Sequence, residues 1–337
     1  MNRHEFLKIL PALSVGTQLP YTSADDLQTI AIPPFLTSGD TIALTSPAGY
    51  ITLEEIQPAK LLMESWGFKI LVGNTIGKRD FTFGGTDAER LADLQSMLDN
   101  RNVRAIMCAR GGYGVNRILD QLNLSQFIKY PKWVIGFSDI TALHLHLLKH
   151  AKVGSIHSKM CNSFPKEWSA AEPIVQETIL SIKQGLNGSV LSYTSLPDMY
   201  NRRGKAEGVI TGGNLAIIIS MMGTASEIET DGRILFLEEV GEYLYSIDRM
   251  MTTLHRAGKL AKLRGLVVCG FNRIKTDDPG EEFGRSFQEI ILSKVKDYSY
   301  PVCFGFPVGH QKDNFAIRHG MVHQLVVDEK GAVLISH

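Results

Sequence analysis

The chain has no net charge to speak of: its Lys+Arg total of 35 balances its Asp+Glu total of 35. It also has no long block of one sign, so nothing in its electrostatics favours nucleic acid or an anionic membrane. Nor does any apolar run approach the roughly 20 residues needed to span a bilayer as a helix. Cysteine is scarce. The four (Cys108, Cys161, Cys269 and Cys303) show no C-x-x-C spacing, which argues against a disulfide framework or a zinc site. Cys108, Cys269 and Cys303 lie in or beside apolar, strand-like runs and read as buried thiols. The glycine motifs that hold nucleotides are incomplete. There is no Gly-Lys-Ser/Thr, and the dinucleotide pattern keeps Gly112 and Gly114 but has Arg117 in its third place. No cofactor is expected.

What is present is an ordinary globular mix, 44% apolar and 21% charged over 337 residues, a length suited to two domains. Residues 1–28 stand apart. Arg3, His4 and Lys8 precede a short apolar stretch from Ile9 to Val15, in the manner of an export signal with one arginine replaced, although Pro11 interrupts it and no clean Ala-x-Ala follows. A working signal would place the protein in the periplasm; an inert leader would leave it in the cytoplasm. From about Ile32 onward, strands and helices alternate. Strands are expected at Thr41–Thr45, 67–72, 103–109 and 132–136, and helices at 53–66, 86–99, 115–122 and 139–149. The 86–99 helix is expected to turn its Asp, Glu and Arg residues to water. Such alternation predicts an α/β fold: a Rossmann-like parallel sheet in an N-terminal domain, 29–165, covered on both faces. Residues 166–205, punctuated by Gly and Pro but holding one helix near 171–184, read as a linker or crossover. A smaller, β-rich α/β domain, 206–337, follows, with strands near 206–210, 232–237 and 263–270. It has an apolar helix at 215–222, helices at 245–256 and 287–295, and a terminal hairpin.

In a parallel sheet ligands bind at the carboxyl ends of the strands, and two segments fall there. Gly136-Phe137-Ser138-Asp139 ends an apolar strand and opens a helix. A serine on so sharp a turn is exposed above the sheet with an N–H beside it, as a nucleophile requires. The plainer reading is that Ser138 or Asp139 caps the helix; the last glycine of the usual elbow is missing. Arg110-Gly111-Gly112-Tyr113-Gly114 ends the preceding strand. It is either a tight turn or, beside a real nucleophile, the source of a second oxyanion donor. The 232–237 strand runs into Glu238-Glu239, whose side chains must face opposite ways. Among ten histidines, His310 has the most constrained setting, after Gly305, Pro307 and Gly309. His157 could approach the same cleft. His146 and His150 lie one helical turn apart but have no third ligand at metal spacing, so no metal is expected. The order Ser138, Glu238, His310 is nucleophile, acid, base, as in α/β-hydrolases.

Six motifs stand in one order: Arg-Gly-Gly-Tyr-Gly at 110–114, Gly-Phe-Ser-Asp at 136–139, Thr-Gly-Gly-Asn-Leu at 211–215, Leu-Phe-Leu-Glu-Glu at 235–239, Ser-Ile-Asp-Arg-Met at 246–250 and Gly-Phe-Pro-Val-Gly-His at 305–310. Together they resemble the serine LD-carboxypeptidase family, which also contains the microcin C7 immunity protein. The resemblance implies a triad of Ser138 as nucleophile, His310 as base and Glu238, the first of its acidic pair, as the orienting acid. It implies oxyanion donors at the N–H of Asp139 and of Gly111 or Gly112. The substrate implied is a murein tetrapeptide cut before its terminal D-alanine; the family often forms dimers, which leaves a homodimer open without the sequence fixing an oligomeric state. Arg110 is the candidate for gripping the substrate's free carboxylate; it could equally pair within its own turn. Two alternatives stay open: the microcin-type amidase of the same family, acting on a peptidyl-nucleotide analogue, and a two-domain binder without a working triad. The chain departs from the resemblance at His157-Ser158-Lys159, where many relatives have His-Gly-Pro.

Overall fold

The computed structural model describes residues 30–336; the leader expected at 1–28 lies outside them. Two sheets and eight α-helices make up this part. In the first sheet, β1 (Thr41–Thr45), β2 (Lys69–Val72), β3 (Val103–Cys108), β4 (Trp133–Gly136) and β5 (Ser155–His157) are parallel. They lie in the order β5-β4-β3-β1-β2. β3 and β4 are buried along almost their whole length, which is why each reads as a continuous apolar run. The second sheet has β7 (Gly204–Asn214), β8 (Ile234–Val240) and β9 (Gly265–Asn272) in parallel at its centre. The terminal hairpin, β12 (Val322–Asp328) and β13 (Gly331–Ser336), joins antiparallel to β7.

The halves are interlaced. Residues 166–205, expected as a connection, contribute to both. Helix Pro173–Leu186 buries Ile179, Ile182 and Leu186 in the core under the first sheet, whereas β6 (Leu191–Ser195) pairs with β13 in the second. In return, β11 (Ile317–His319) pairs antiparallel with β5 and closes the first sheet with a strand from the far end of the chain.

Several helices differ locally from the expectation. α1 (Gln57–Ser65) starts later than residue 53, with a proline in its first turn. Residues 115–122 form two single 3-10 turns rather than one helix. The apolar helix after β7 spans Leu215–Ser220 only, and residues 211–214 belong to the strand. In α2 (Asp87–Asp99), a capping box between Thr86 and Glu89 fixes the start. Its polar residues do not all face water. Arg90 and Asp93 are buried, because each is consumed by a neighbouring loop. Asp93 accepts hydrogen bonds from the Asn74 N–H (2.7 Å) and from the hydroxyls of Thr45 (2.8 Å) and Thr75 (2.6 Å).

The helix after Ser138, α4 (Thr141–Ala151), lies between the two sheets, and nine of its eleven residues are buried, leaving no face for water. Three buried histidines gather there. His144 Nε2 meets the Gly136 carbonyl at 2.9 Å. His319 Nε2 meets Thr211 Oγ1 at 3.2 Å. His157 packs edge-on to Phe236 and Phe137. Burial pushes His144 down to about 4, and His157 and His319 well below the usual histidine value. These three side chains therefore bind fewer protons in the folded protein than in the unfolded chain between about pH 4 and 6.5. Their contribution is fully present above that window and is lost as pH falls through it. One histidine shifted to about 4 accounts for about 2 kcal/mol at pH 5. Urea midpoints at neutral pH and at pH 5 should show a marked loss for the parent protein, and a loss about 2 kcal/mol smaller for His144→Phe.

Candidate active site

β4 ends at Gly136, where an added Cβ would stand 2.9 Å from the Ile140 side chain; the chain folds back on itself too closely for a larger residue. Phe137 is extended, and Ser138 then takes a φ of 63°. That left-handed conformation costs a non-glycine residue about 1–2 kcal/mol. It makes a sharp strand-to-helix turn of the kind that exposes a side chain, and it disfavours the reading of Ser138 as a plain N-cap, a position that Phe137 holds.

The second sheet brings two groups to this hydroxyl. His310 Nε2 lies 3.1 Å from Ser138 Oγ, and His310 Nδ1 lies 2.7 Å from Glu238 Oε2. A carboxylate can only accept from Nδ1, so that nitrogen carries the proton. Nε2 is left free to accept from the serine hydroxyl. Glu238 is wholly buried and the His310 side chain is 22% exposed. Phe137 lies against the imidazole, ring centroids 4.8 Å apart. The approach of the His310 loop depends on Gly309. It has a φ of 111°, and an added Cβ would stand 2.8 Å from Glu238 Cβ.

The two glutamates diverge, as alternation along β8 requires. Both are buried, not solvent-facing. Glu239 turns to the other side and accepts from Asn214 Nδ2 (3.1 Å) and from the N–H groups of Ala216 (2.7 Å) and Val240 (2.8 Å). Burial nevertheless pushes its carboxyl up to about 7.

The glycine turn touches the serine. A Cβ on Gly111 would lie 3.1 Å from Ser138 Cβ and 3.4 Å from its Oγ. Asp139 clamps the turn: its buried carboxylate accepts from the Val115 N–H at 2.9 Å, and burial raises it to about 6. Gly112, at φ 107°, packs over Gly49 and is exposed. Arg110 is exposed as well, and its Nη1 donates to the Tyr50 carbonyl at 3.0 Å; its pairing is with the adjoining loop. His157 does not reach the cleft; it is wholly buried behind Phe137. His146 and His150 share Ser226, at 2.8 and 3.2 Å.

One supporting residue escaped the sequence reading. Arg90 donates to the carbonyls of Pro47 (2.5 Å), Gly114 (2.8 Å) and Gly85 (3.2 Å), binding the loops on either side of the glycine turn. Its spacing in a capped amphipathic helix reads as surface, and no local pattern announces three remote carbonyls.

The LD-carboxypeptidase N-terminal domain matches residues 42–158, and the C-terminal domain of the same family matches residues 207–325. The chain is 32% identical over 304 residues to the probable murein peptide carboxypeptidase of Bacillus subtilis (strain 168), covering 90% of this chain and 93% of that protein. It is 26% identical to the microcin C7 self-immunity protein MccF of Escherichia coli, over 88% of this chain and 93% of the other. Among solved structures, the muramoyltetrapeptide carboxypeptidase from Oxalobacter formigenes superposes with a TM-score of 0.77 at 27% identity, over 88% of this chain and 98% of that one. The chain belongs to the LD-carboxypeptidase family, a family of hydrolases, and has its two-domain α/β fold.

Substituting Gly309→Ala forces a side chain into the left-handed region and against Glu238. It should lower stability by about 1–3 kcal/mol and displace His310. Thermal unfolding checks the first effect, and a fall in turnover larger than the stability change explains checks the second.

Proposed function

We propose that the chain is a serine-type LD-carboxypeptidase that hydrolyses the amide bond before the terminal D-alanine of murein tetrapeptides. The observation that carries this reading is the continuous contact from Ser138 Oγ through His310 to Glu238, on a chain of this family.

His310 Nε2 takes the hydroxyl proton as Ser138 Oγ attacks the carbonyl carbon. The carbonyl oxygen becomes an oxyanion held by backbone N–H groups of Asp139 and of Gly111 or Gly112, each such donor typically supplying about 3 kcal/mol. Collapse breaks the C–N bond, and the imidazolium passes its proton to the departing amine of D-alanine. Water then attacks the acyl ester with His310 again as base, restoring Ser138. Glu238 keeps the imidazole in the tautomer that each step needs and stabilises the imidazolium between steps. It is buried with only one oxygen hydrogen-bonded, so its charge is directed at the histidine and is little screened by water.

The activity belongs in the cytoplasm, or in the periplasm if residues 1–28 act as an export signal. The competing microcin-type reading draws on the similarity to MccF; the higher identity to the probable murein peptide carboxypeptidase favours the peptide substrate.

Ser138→Ala should abolish D-alanine release from a disaccharide tetrapeptide, lowering kcat by at least about 1,000-fold, while the unfolding midpoint stays within a few degrees of the parent. Near-parental release by this variant sinks the assignment. Faster turnover of a peptidyl sulfamoyl nucleotide than of the tetrapeptide replaces it with the amidase reading.

A further inference from the structure

The triad explains how an amide is cut but not how the end of a peptide is recognised. An enzyme that removes one terminal residue must hold a carboxylate close to the scissile bond, because that group is carried on the same residue as the leaving nitrogen. Arg110 is a weak candidate: it is exposed and engaged with the Tyr50 carbonyl.

Lys159 is placed better. In the parallel pairing of β4 with β5, Gly136 lies opposite His157, and the Ser158 N–H donates to the Gly136 carbonyl at 3.0 Å. Lys159 is the next residue, at the edge of the sheet where β4 gives way to the Ser138 turn. Met160 follows, and its side chain reaches the same glycine turn as the serine. Met160 Cε and Ser138 Cβ converge on Gly111, at 3.2 and 3.1 Å from the same added Cβ. Lys159 thus stands at the carboxyl edge of the first sheet, next to the nucleophile turn.

Its side chain has little access to water and, among the described residues, makes no hydrogen bond to a backbone carbonyl. Lys159 is only 8% exposed. The other deeply buried lysine, Lys132, donates to the carbonyls of Met97 (2.9 Å) and Asn100 (2.6 Å). Among the described residues, what acts on the Lys159 charge besides burial is the Asp313 carboxylate, three residues beyond His310. Taking an ammonium out of water is costly unless it is well paired, and an arriving carboxylate would supply that partner with a charge-assisted hydrogen bond.

Building on the LD-carboxypeptidase reading, we propose that Lys159 binds the free terminal carboxylate of the peptide and sets the enzyme's preference for a C-terminal acid over a neutral end.

The test compares a murein tetrapeptide with its C-terminal amide. The parent enzyme should favour the acid by on the order of 100-fold in kcat/KM, the effect of one charged hydrogen bond in a buried site. Lys159→Met should lose most of that preference by slowing the acid, chiefly through KM, and Lys159→Arg should regain part of it. Because the readout is a ratio on one protein, a partly misfolded variant does not imitate it. An unchanged ratio in Lys159→Met overturns the proposal. A second measurement does not require turnover: reductive methylation of Lys159, read by mass spectrometry, with saturating D-alanine or D-alanine amide. Protection by the acid alone supports the assignment, and equal labelling overturns it. If the parent releases no D-alanine from tetrapeptide, the LD-carboxypeptidase reading fails by itself, and the labelling result still decides whether Lys159 receives a carboxylate.

Discussion

A serine forced into a left-handed backbone conformation is the constraint on which the rest of the site depends. At φ 63°, Ser138 would relax if its neighbours gave it room, and none of them does. Gly136 lets the chain turn back against Ile140, Asp139 is tied to the glycine turn through Val115, and Arg90 holds the loops around that turn by their carbonyls. A strain of about 1–2 kcal/mol persists because the surrounding contacts over-determine the conformation. The result is a hydroxyl lifted off the sheet and held within hydrogen-bond reach of His310.

The same turn feeds a helix that has no wet face. α4 is the layer between the two sheets, so Ser138 is mounted on the interface itself, and His310 and Glu238 arrive from the other side of that interface. Polar residues trapped in this layer, His144, His157 and His319, stay neutral because charging them there would mean ionising a group with few partners and no water. The architecture accepts sensitivity to acid in exchange for close contact between its halves.

Much of this was legible in the chain. Parallel strands buried on both faces must be apolar throughout, and so β3, β4, β8 and β9 stand out as runs. The divergence of Glu238 and Glu239 follows from strand alternation alone. The glycine and proline around His310 signal a loop of fixed shape. What sequence could not reveal depends on partners remote in the chain. Arg90 and Asp93 look like surface residues of an amphipathic helix until the carbonyls of Pro47 and Gly114, and the hydroxyls of Thr45 and Thr75, are brought to them. β11 is three residues long and carries no periodicity; only its pairing with β5 makes it a strand. Periodicity places a helix start too early where, as at Gln57, a turn precedes the first helical hydrogen bonds. Sequence leaves the direction of His157 open, because a histidine at a strand end can point into a cleft or into the core, and the aromatic rings that enclose it come from elsewhere in the chain.

The loop bearing His310 runs from β10 (Val302–Cys303), an edge strand of the second sheet, to β11, an edge strand of the first. It is therefore stitched to a different body at each end. Recombination between relatives anywhere in residues 166–205 would leave the first sheet finished by a foreign edge strand, and a crossover beyond Ser195 would also give the second sheet a foreign β6. The heritable unit of this enzyme is thus the whole interlaced chain, and lineages within such a family should diversify by drift in place more readily than by exchanging halves.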